Sequence, residues 1–258
     1  MSLAACLNKY WRILATCFCF FLFAFGGLLL SFLVFPVLVL FVKNKAQREL
    51  KVQSVIQKSF FLFCEIMRLS GAIDYKIIGA EKLQSDKHCL VVANHPSLID
   101  YVLIVAHMQQ CDCLVKESIW NNPFMKGVVS AAGYIPNKNP ETLVEDCAQR
   151  LSQGHVLLIF PEGTRSTPGV KSKLQRGAAQ VALKTASDIR VVHITVAPVF
   201  LTKQRKWYQV PDKKPFFLLE VKEKIEINTF IKTETPSSIM VRKLNAHLEN
   251  VIFPQKSR

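Results

Sequence analysis

The chain of 258 residues is poor in acidic side chains: 19 Asp and Glu stand against 33 Lys and Arg, which gives a formal net charge of +14 at pH 7. A balance of this kind favours anionic partners. Nucleic acid would satisfy it, but the sequence has no helix-turn-helix, zinc-finger or RNA-binding signature, so we expect no nucleic-acid binding. Because half of the residues are hydrophobic, membrane lipid is the partner that the composition favours.

The sequence also lacks the cysteine patterns of a disulfide framework or a zinc site. Three of its eight cysteines lie in or next to an apolar N-terminal segment, and the others occur singly or as Cys111-X-Cys113. This distribution indicates a reducing compartment. A zinc site would need a second ligand cluster to complete the Cys111 and Cys113 pair, and His107 alone does not supply it, so we expect no bound metal.

Charged residues are absent from Ile13 to Val42, a run of 30 residues. A membrane-spanning helix needs about 20 residues, so the run is long enough to cross a bilayer. It contains Gly26-Gly27 and Pro36, and therefore either a kinked span or two half-length helices in one leaflet is expected. A cleaved signal peptide fits less well, because the run is too long and no polar cleavage site follows. A buried core helix is the remaining alternative.

Basic residues flank this apolar run on both sides: Lys9 and Arg12 precede it, and Lys43, Lys45, Arg48 and Lys51 follow it. Since more positive charge follows the run, we expect the rest of the chain to face the cytoplasm, at a bacterial inner membrane. A second basic stretch runs from Lys203 to Lys214 and carries Trp207 and Tyr208. We expect it either to lie against anionic headgroups or to be an ordinary solvated loop.

The hydrophobic pattern divides the chain into a membrane segment (residues 1–45), an amphipathic linking helix (46–72) and one domain (73–258). In the domain, short apolar strands alternate with helices, which predicts an α/β fold with a largely parallel central sheet. The predicted strands are Tyr75–Ile78, Cys89–Ala93, Leu114–Val115, Val156–Phe160, Val191–Pro198 and Phe216–Ile227, and the predicted helices are Ala46–Leu69, Ser97–Met108, Pro123–Ala132, Thr142–Ser152, Arg176–Thr185 and Ser237–Val251.

A first polar string, Asn94-His95-Pro96-Ser97-Leu98-Ile99-Asp100, follows one of the predicted buried strands. Pro96 and Ser97 are expected to open a helix, with Ser97 capping it rather than acting as a nucleophile. A histidine just before the first helical turn can approach a carboxylate one turn further on, so His95 and Asp100 are expected to be neighbours. Such a pair is typical of a general base, because the carboxylate fixes the imidazole tautomer and stabilises the imidazolium.

A second string, Phe160-Pro161-Glu162-Gly163-Thr164-Arg165-Ser166, follows another predicted buried strand about 65 residues later. In open α/β sheets ligands bind at the carboxyl ends of the strands, so the two strings are expected to converge on one site. A substrate hydroxyl is the natural proton source for the base, and no nucleophile of the protein is needed if that hydroxyl attacks an acyl carbon itself.

The two strings resemble the first and third signature blocks of the glycerolipid acyltransferase family, whose best-known members are 1-acylglycerol-3-phosphate acyltransferases. The resemblance covers roughly Asp74 to Leu201. It implies that His95 is the general base and that Asp100 orients it. It also implies that the acceptor site is formed by Glu162, Gly163, Thr164 and Arg165. Arg165 would hold a phosphate, because a guanidinium offers a rigid fork of donors.

The second signature block of the family is altered in this sequence. Gly133-Tyr134-Ile135-Pro136 fits its opening, but the arginine that usually helps to grip the acceptor phosphate is missing or is replaced by Lys138 after a shift of one residue. Lysine is a point charge and not a bidentate fork, so this change bears on the identity of the acceptor.

The resemblance implies a membrane-bound acyltransferase that uses an acyl-CoA or acyl-carrier-protein thioester as cosubstrate and needs no cofactor. The expected acceptor is a lysophospholipid, foremost 1-acylglycerol 3-phosphate, which would give phosphatidic acid. A second hypothesis keeps acyl transfer but assigns a non-glycerophosphate acceptor, such as a lyso-ornithine-type lipid. A third is a lipid-binding or scaffolding protein with an inactive site, and the presence of His95, Asp100, Glu162 and Arg165 counts against it.

Overall fold

A computed structural model describes residues 3–167 and 172–253 of the chain. The helices in the described part are α1 (Leu3–Leu29), α2 (Phe35–Phe41), α3 (Lys45–Leu69), α4 (Ala80–Ser85), α5 (Asp100–Val105), α6 (Glu117–Trp120), α7 (Pro123–Ala131), α8 (Pro140–Ser152), α9 (Gly177–Thr185) and α10 (Ser237–Ile252). The strands are β1 (Asp74–Ile78), β2 (Cys89–Ala93), β3 (Asp112–Lys116), β4 (Ile135–Asn137), β5 (Val156–Ile159), β6 (Asp188–Ala197) and β7 (Phe216–Ile225).

The strands form one seven-stranded sheet in the order β1-β7-β6-β2-β5-β3-β4. All neighbouring pairs are parallel except β6 and β7, which are antiparallel. The central strand β2 is buried at every position, because helices cover both faces of the sheet. The predicted α/β fold with a largely parallel sheet is therefore confirmed.

The N-terminal apolar run is one helix that changes its winding, not two separate half-helices. Helix α1 passes into a π-helical turn, Leu30–Val34, and then into α2, which has Pro36 in its first turn. Proline has no backbone N–H to donate to the hydrogen bonds of a helix. The wider π-helical turn before Pro36 accommodates this missing bond, so the helix continues through Pro36. Residues Cys6–Phe41 are long and apolar enough to cross a membrane, and few of them are buried. The alternative of a buried core helix is thereby excluded.

Helix α3 returns along the N-terminal run and joins it to the domain. It begins after Asn44, whose side-chain oxygen accepts a hydrogen bond of 3.0 Å from the backbone N–H of Gln47. Val52, Ile56 and Met67 lie on its buried side, and the helix packs against α1, α2, α5 and α7. The predicted amphipathic helix is present, and it forms part of the body of the protein.

The structure differs from the predicted elements in several places, for example in helix α5, which ends at Val105 and not at Met108, and in strand β3, which is longer than predicted. Helix α5 begins at Asp100 and not at Ser97, because the carboxylate of Asp100 binds the backbone N–H of Ser97 and holds the preceding residues in a turn. Strand β4 and the short helices α4 and α6 were not predicted, since segments of three to six residues carry too little periodicity.

Candidate active site

The two polar strings lie side by side because the strands that precede them are neighbours. Strands β2 and β5 pair in parallel, with Cys89 opposite Val156 and Val92 opposite Ile159. Their carboxyl ends therefore open at the same edge of the sheet. Asn94 fixes the end of β2, since its side chain exchanges two hydrogen bonds, of 2.7 and 2.8 Å, with the backbone of Ile194 on β6. No pattern in the sequence indicates this bracing role for Asn94.

His95 and Asp100 form the close pair that was predicted. Nδ1 of His95 lies 2.9 Å from Oδ2 of Asp100, and the same oxygen accepts the backbone N–H of Ser97 at 2.6 Å. The side chain of Asp100 is fully buried, whereas that of His95 is 20% exposed. When Asp100 is ionised, the proton therefore lies on Nδ1 and leaves Nε2 as the basic nitrogen.

Burial raises the pKa of Asp100 to about 6, against the opposing effect of the hydrogen bond from His95. Its second oxygen, Oδ1, has no hydrogen-bond partner in the described part of the chain. This carboxylate is thus held by few donors and is protonated more easily than an ordinary aspartate. Its charge is most favourable when a positive imidazolium forms beside it.

Ser97 does not have the capping role that was predicted. The residue before helix α5 is Ile99, and no side chain caps the helix. The hydroxyl of Ser97 is completely buried and has no partner among the described residues. Ser97 is also absent from the wall of the cavity described below. It is therefore not placed to attack a substrate either.

Glu162 ties the second string to the first. Its Oε1 accepts the backbone N–H of His95 at 2.9 Å, and both of its oxygens accept the hydroxyl of Ser166 at 2.8 Å. The backbone N–H of Ser166 donates in turn to the carbonyl of His95 at 2.7 Å. The ring of Phe160 stacks on the imidazole with centroids 4.3 Å apart. Glu162 is thus engaged in holding His95 and does not line the cavity.

Gly163 and Arg165 shape the wall next to His95. Gly163 has φ +66°, and a Cβ there would lie 2.6 Å from Nε2 of Gln175, so the turn favours glycine. Nη1 of Arg165 donates to the carbonyls of Leu201 and Thr202, at 3.1 and 3.2 Å. A third loop, after β6, therefore holds the guanidinium in place.

A large cavity opens beside His95, with a volume of about 1280 Å³. Its polar wall includes Gly163, Thr164 and Arg165, three of the four residues that the resemblance assigned to the acceptor site. Most of its lining is apolar, and much of this comes from residues of the N-terminal helix: Leu22, Phe23, Ala24, Gly26, Gly27, Leu28, Leu29, Leu30 and Val34. The segment predicted as a membrane anchor is therefore also a wall of the candidate site, which the sequence did not indicate.

The cations of the cavity differ in part from those that were predicted. Lys116 and Lys203 line it together with Arg165, whereas Lys138 does not. Lys116 lies at the end of β3, opposite Asn137 of β4 in the sheet register. Its place in the site depends on the pairing of β3 with β4, for which no sequence motif exists. Lys203 belongs to the basic stretch that was predicted to lie against lipid or solvent.

Within residues 3–167 and 172–253, no three His, Cys, Asp or Glu side chains are grouped so that they could hold a metal ion.

Residues 74–202, half of the chain, match the family model described as Acyltransferase. A stretch of 126 residues is 32% identical to the chloroplastic 1-acyl-sn-glycerol-3-phosphate acyltransferase BAT2 of Brassica napus, covering 46% of this chain and 36% of that one. A stretch of 128 residues is 30% identical to the 1-acyl-sn-glycerol-3-phosphate acyltransferase of Helicobacter pylori, covering 46% and 54%. The matches thus span from about a third to about half the length of these relatives.

A solved structure resembles nearly the whole chain. The crystal structure of the 1-acyl-sn-glycerophosphate (LPA) acyltransferase PlsC from Thermotoga maritima superimposes with a TM-score of 0.68 at 18% identity, and the alignment covers 96% of this chain and 99% of that one. At this identity the likeness establishes the fold alone.

Proposed function

Since the chain belongs to the acyltransferase family, we propose that it is an enzyme that transfers a fatty acyl group from a thioester to the hydroxyl of a lysophospholipid. The proposed acceptor is 1-acylglycerol 3-phosphate, the acceptor in the names of the relatives, and the product is phosphatidic acid. The observation that carries the proposal is the His95 and Asp100 pair beside a cavity with both cationic and apolar walls.

In the proposed reaction His95 acts as general base through Nε2. It takes the proton of the acceptor hydroxyl while the hydroxyl oxygen attacks the thioester carbonyl carbon. The tetrahedral intermediate then expels the sulfur, which receives the proton from the imidazolium. Asp100 holds the Nδ1 proton and stabilises the imidazolium, because its buried carboxylate has few other donors. General-base help of this kind is typically worth ~10²–10⁴-fold.

Negative charge on the substrates would meet the cations Lys116, Arg165 and Lys203, which all line the cavity. Among the described residues, Nη1 is the nitrogen of Arg165 that donates to backbone carbonyls, and we propose that its other N–H groups bind a phosphate. Lys116 takes the place that the sequence assigned to Lys138, because it reaches the cavity from the neighbouring strand. The backbone N–H of Gly163 is already bonded to the carbonyl of Phe160, so we assign the stabilisation of the developing oxyanion to these cations and not to that N–H.

The acyl chain of the donor or of the acceptor would occupy the apolar part of the cavity, against the lining residues of the N-terminal helix, among them Leu22, Phe23 and Leu30. The donor is an acyl-CoA or acyl-carrier-protein thioester, consumed as a cosubstrate, and no prosthetic group takes part. The exposed apolar helix favours a membrane location. The basic residues after it favour a cytoplasmic position for the domain.

The test is acyl transfer by the purified protein with a labelled acyl thioester. The acceptors are 1-acylglycerol 3-phosphate and its phosphate-free monoacylglycerol counterpart, and the variants are His95→Ala and, as a matched control, the exposed His247→Ala. We expect phosphatidic acid from the wild type and from His247→Ala, little product from monoacylglycerol, and loss of product in His95→Ala without loss of folding.

Each other outcome has a defined meaning. Full activity of His95→Ala would refute the mechanism. Transfer to a lyso-ornithine-type acceptor, with none to the glycerophosphate, would move the assignment to the alternative acceptor. Product from no acceptor, with tight lipid binding, would indicate a binding protein with an inactive site.

A further inference from the structure

A second, separate cleft lies where the start of the N-terminal helix meets the domain. It has a volume of about 580 Å³ and lies between α1, the end of α3 and the loop before β7. The residues that bear on its chemistry are Trp11, Arg12, Asp212, Lys213 and Lys214. None of them lines the cavity beside His95, so the reaction described above leaves this cleft without a role.

Arg12 is the unusual residue of the cleft because it is only 2% exposed and yet, within residues 3–167 and 172–253, its hydrogen bonds go to backbone carbonyls and not to a carboxylate. Its Nη2 donates to the backbone carbonyls of Pro211 and Asp212, and its Nε has no partner in the described part of the chain. The hydroxyl of Thr16, one helical turn further on, is also buried and unpartnered there. A guanidinium removed from water is normally matched by an anion in direct contact, and the part of the chain that the structure describes places no carboxylate within hydrogen-bond distance of Arg12.

The charges around Arg12 leave an excess of positive charge in the cleft. Asp212 is the one carboxylate among the lining residues, and it is bonded to Lys9 at 2.8 Å. Lys214 is paired with Asp74 at 2.9 Å. Besides the hydrogen bond from Lys9, the charge of Arg12 also helps to lower the pKa of Asp212, so this one carboxylate is shared between Lys9 and Arg12. Arg12, Lys213 and Lys214 all line the cleft, and its positive charge therefore exceeds its negative charge.

The cleft lies at the boundary between the charged and the apolar parts of the N-terminal helix. Arg12 is the last charged residue before the run from Ile13 to Val42. Trp11 beside it is largely exposed, and its indole N–H donates to the carbonyl of Ser70 at 2.9 Å. A tryptophan and basic side chains at the end of an apolar helix are typical of the headgroup level of a bilayer.

We propose that this cleft binds a phosphate group, with the buried guanidinium of Arg12 and the ammonium of Lys213 as its ligands. A phosphate supplies both the negative charge and the acceptor oxygens that Arg12 lacks. The group can belong to an anionic phospholipid headgroup or to a soluble phosphate, and the site is independent of the acyl-transfer reaction.

Binding is measured by calorimetry on the full chain in an uncharged detergent. The titrants are inorganic phosphate and mixed micelles that contain phosphatidylglycerol. All proteins carry Arg165→Ala, so that the phosphate site proposed beside His95 is weakened equally throughout. The test variant is Lys213→Ala, and the control is Lys243→Ala, which removes an exposed lysine from helix α10. Arg12→Met is a second test variant, provided that it folds.

We expect Lys213→Ala to weaken binding by about tenfold or more, the effect of one lost charge-assisted hydrogen bond, while Lys243→Ala binds like its parent. If this loss is seen only with phosphatidylglycerol micelles, the ligand is a lipid headgroup, and if inorganic phosphate shows it too, a free phosphate suffices. Equal binding by Lys213→Ala and Lys243→Ala, or no binding of either titrant by the parent, would overturn the proposal.

Discussion

Two buried aspartates, each paired with a histidine at 2.9 Å, have opposite surroundings. Asp100 binds His95 at the edge of the cavity, whereas Asp112 binds His155 inside the domain. Asp112 also accepts two bonds from Arg150, at 2.7 and 2.9 Å, and one from Gln53 at 2.7 Å. Asp100 has only the imidazole and one backbone N–H, and its second oxygen is unpartnered among the described residues.

The titration of the two carboxyl groups follows from this difference. Burial raises the pKa of Asp100 to about 6, and the bond from His95 only partly opposes it. Burial would also raise the pKa of Asp112, but the bonds from His155 and Arg150 outweigh it and hold that pKa below its ordinary value. A histidine–aspartate distance therefore does not identify a reactive pair. The number of other donors on the carboxylate separates the two cases.

The Asp112 cluster, which we define as Glu49, Gln53, Asp112, Arg150 and His155, joins separate parts of the chain. Arg150 of α8 also binds Glu49 of α3 at 2.6 Å, and Gln53 of α3 binds both Asp112 and the carbonyl of Ala132. None of its members lines the cavity. The cluster holds helix α3 on the domain. The predictions below test whether Asp100 acts in catalysis and Asp112 in stability.

The largest expected effect is that of Asp100→Asn on turnover. Without the carboxylate the imidazolium loses its stabilising charge and the tautomer is no longer fixed, so we expect kcat to fall by ~10²–10⁴-fold. The unfolding temperature is expected to stay the same or rise, because a buried carboxylate with a raised pKa is replaced by a neutral group. Initial rates and thermal unfolding of one preparation check both. A large fall in the unfolding temperature would mean that Asp100 is structural as well.

Arg150→Met is expected to act on stability instead. It leaves Asp112 and Glu49 buried without their main partner, which typically costs about 3–5 kcal/mol of unfolding free energy. The measurement is denaturant unfolding, with Arg242→Met on the exposed side of α10 as the matched control. Activity per folded molecule is expected to stay near that of the wild type. A loss of kcat without a loss of stability in Arg150→Met would contradict the structural role of the Asp112 cluster.

The pH dependence of stability distinguishes the two aspartates without any mutation. The pKa of Asp100 is raised, so its contribution to stability is complete below the ordinary value near 3.8 and is lost as the pH rises through about 6. The pKa of Asp112 is lowered, so its contribution is present above 3.8 and is lost only as the pH falls through its lower folded value.

Acidification from pH 7 to pH 5 is therefore expected to protonate Asp100 while Asp112 stays ionised. We expect activity to fall about tenfold per pH unit below pH 6, with the fold intact. Rates and tryptophan fluorescence recorded across this range check the prediction. Activity and fluorescence that change together would show that unfolding, and not Asp100, limits the rate.

The smallest expected effects are those of alanine substitutions at two glycines. A Cβ at Gly133 (φ +71°) would lie 2.5 Å from the carboxyl carbon of Glu49, which Arg150 holds in place. At Gly163 the obstacle is the end of the Gln175 side chain, which can move. We expect Gly133→Ala to cost about 1–3 kcal/mol of stability and Gly163→Ala to cost less, but to lower activity more. Thermal unfolding and initial rates of the two variants check these two orders. A larger loss of stability in Gly163→Ala, or a larger loss of activity in Gly133→Ala, would contradict the prediction.

Most of the architecture could be predicted because it depends on local patterns. Strand β2 has the predicted bounds, Cys89–Ala93, since an unbroken apolar run fits a strand buried on both faces. The family assignment also follows from two short strings, and the family model matches the region that the resemblance covered. Ser97 is the local failure, because the turn that displaces it is held by the Asp100 side chain and not by a backbone preference.

The sequence by itself determined the alternating strands and helices, the proximity of His95 to Asp100 and the apolar character of the N-terminal helix, since each depends on residues close together in the chain. Only the tertiary structure decided that this helix lines the cavity and that Lys116, not Lys138, reaches it. It also decided that Asp112 accepts hydrogen bonds from several side chains. These contacts join residues as far apart as Glu49 and Arg150, separated by 101 positions. No local periodicity encodes such contacts, because they form only when the packed elements bring distant side chains together.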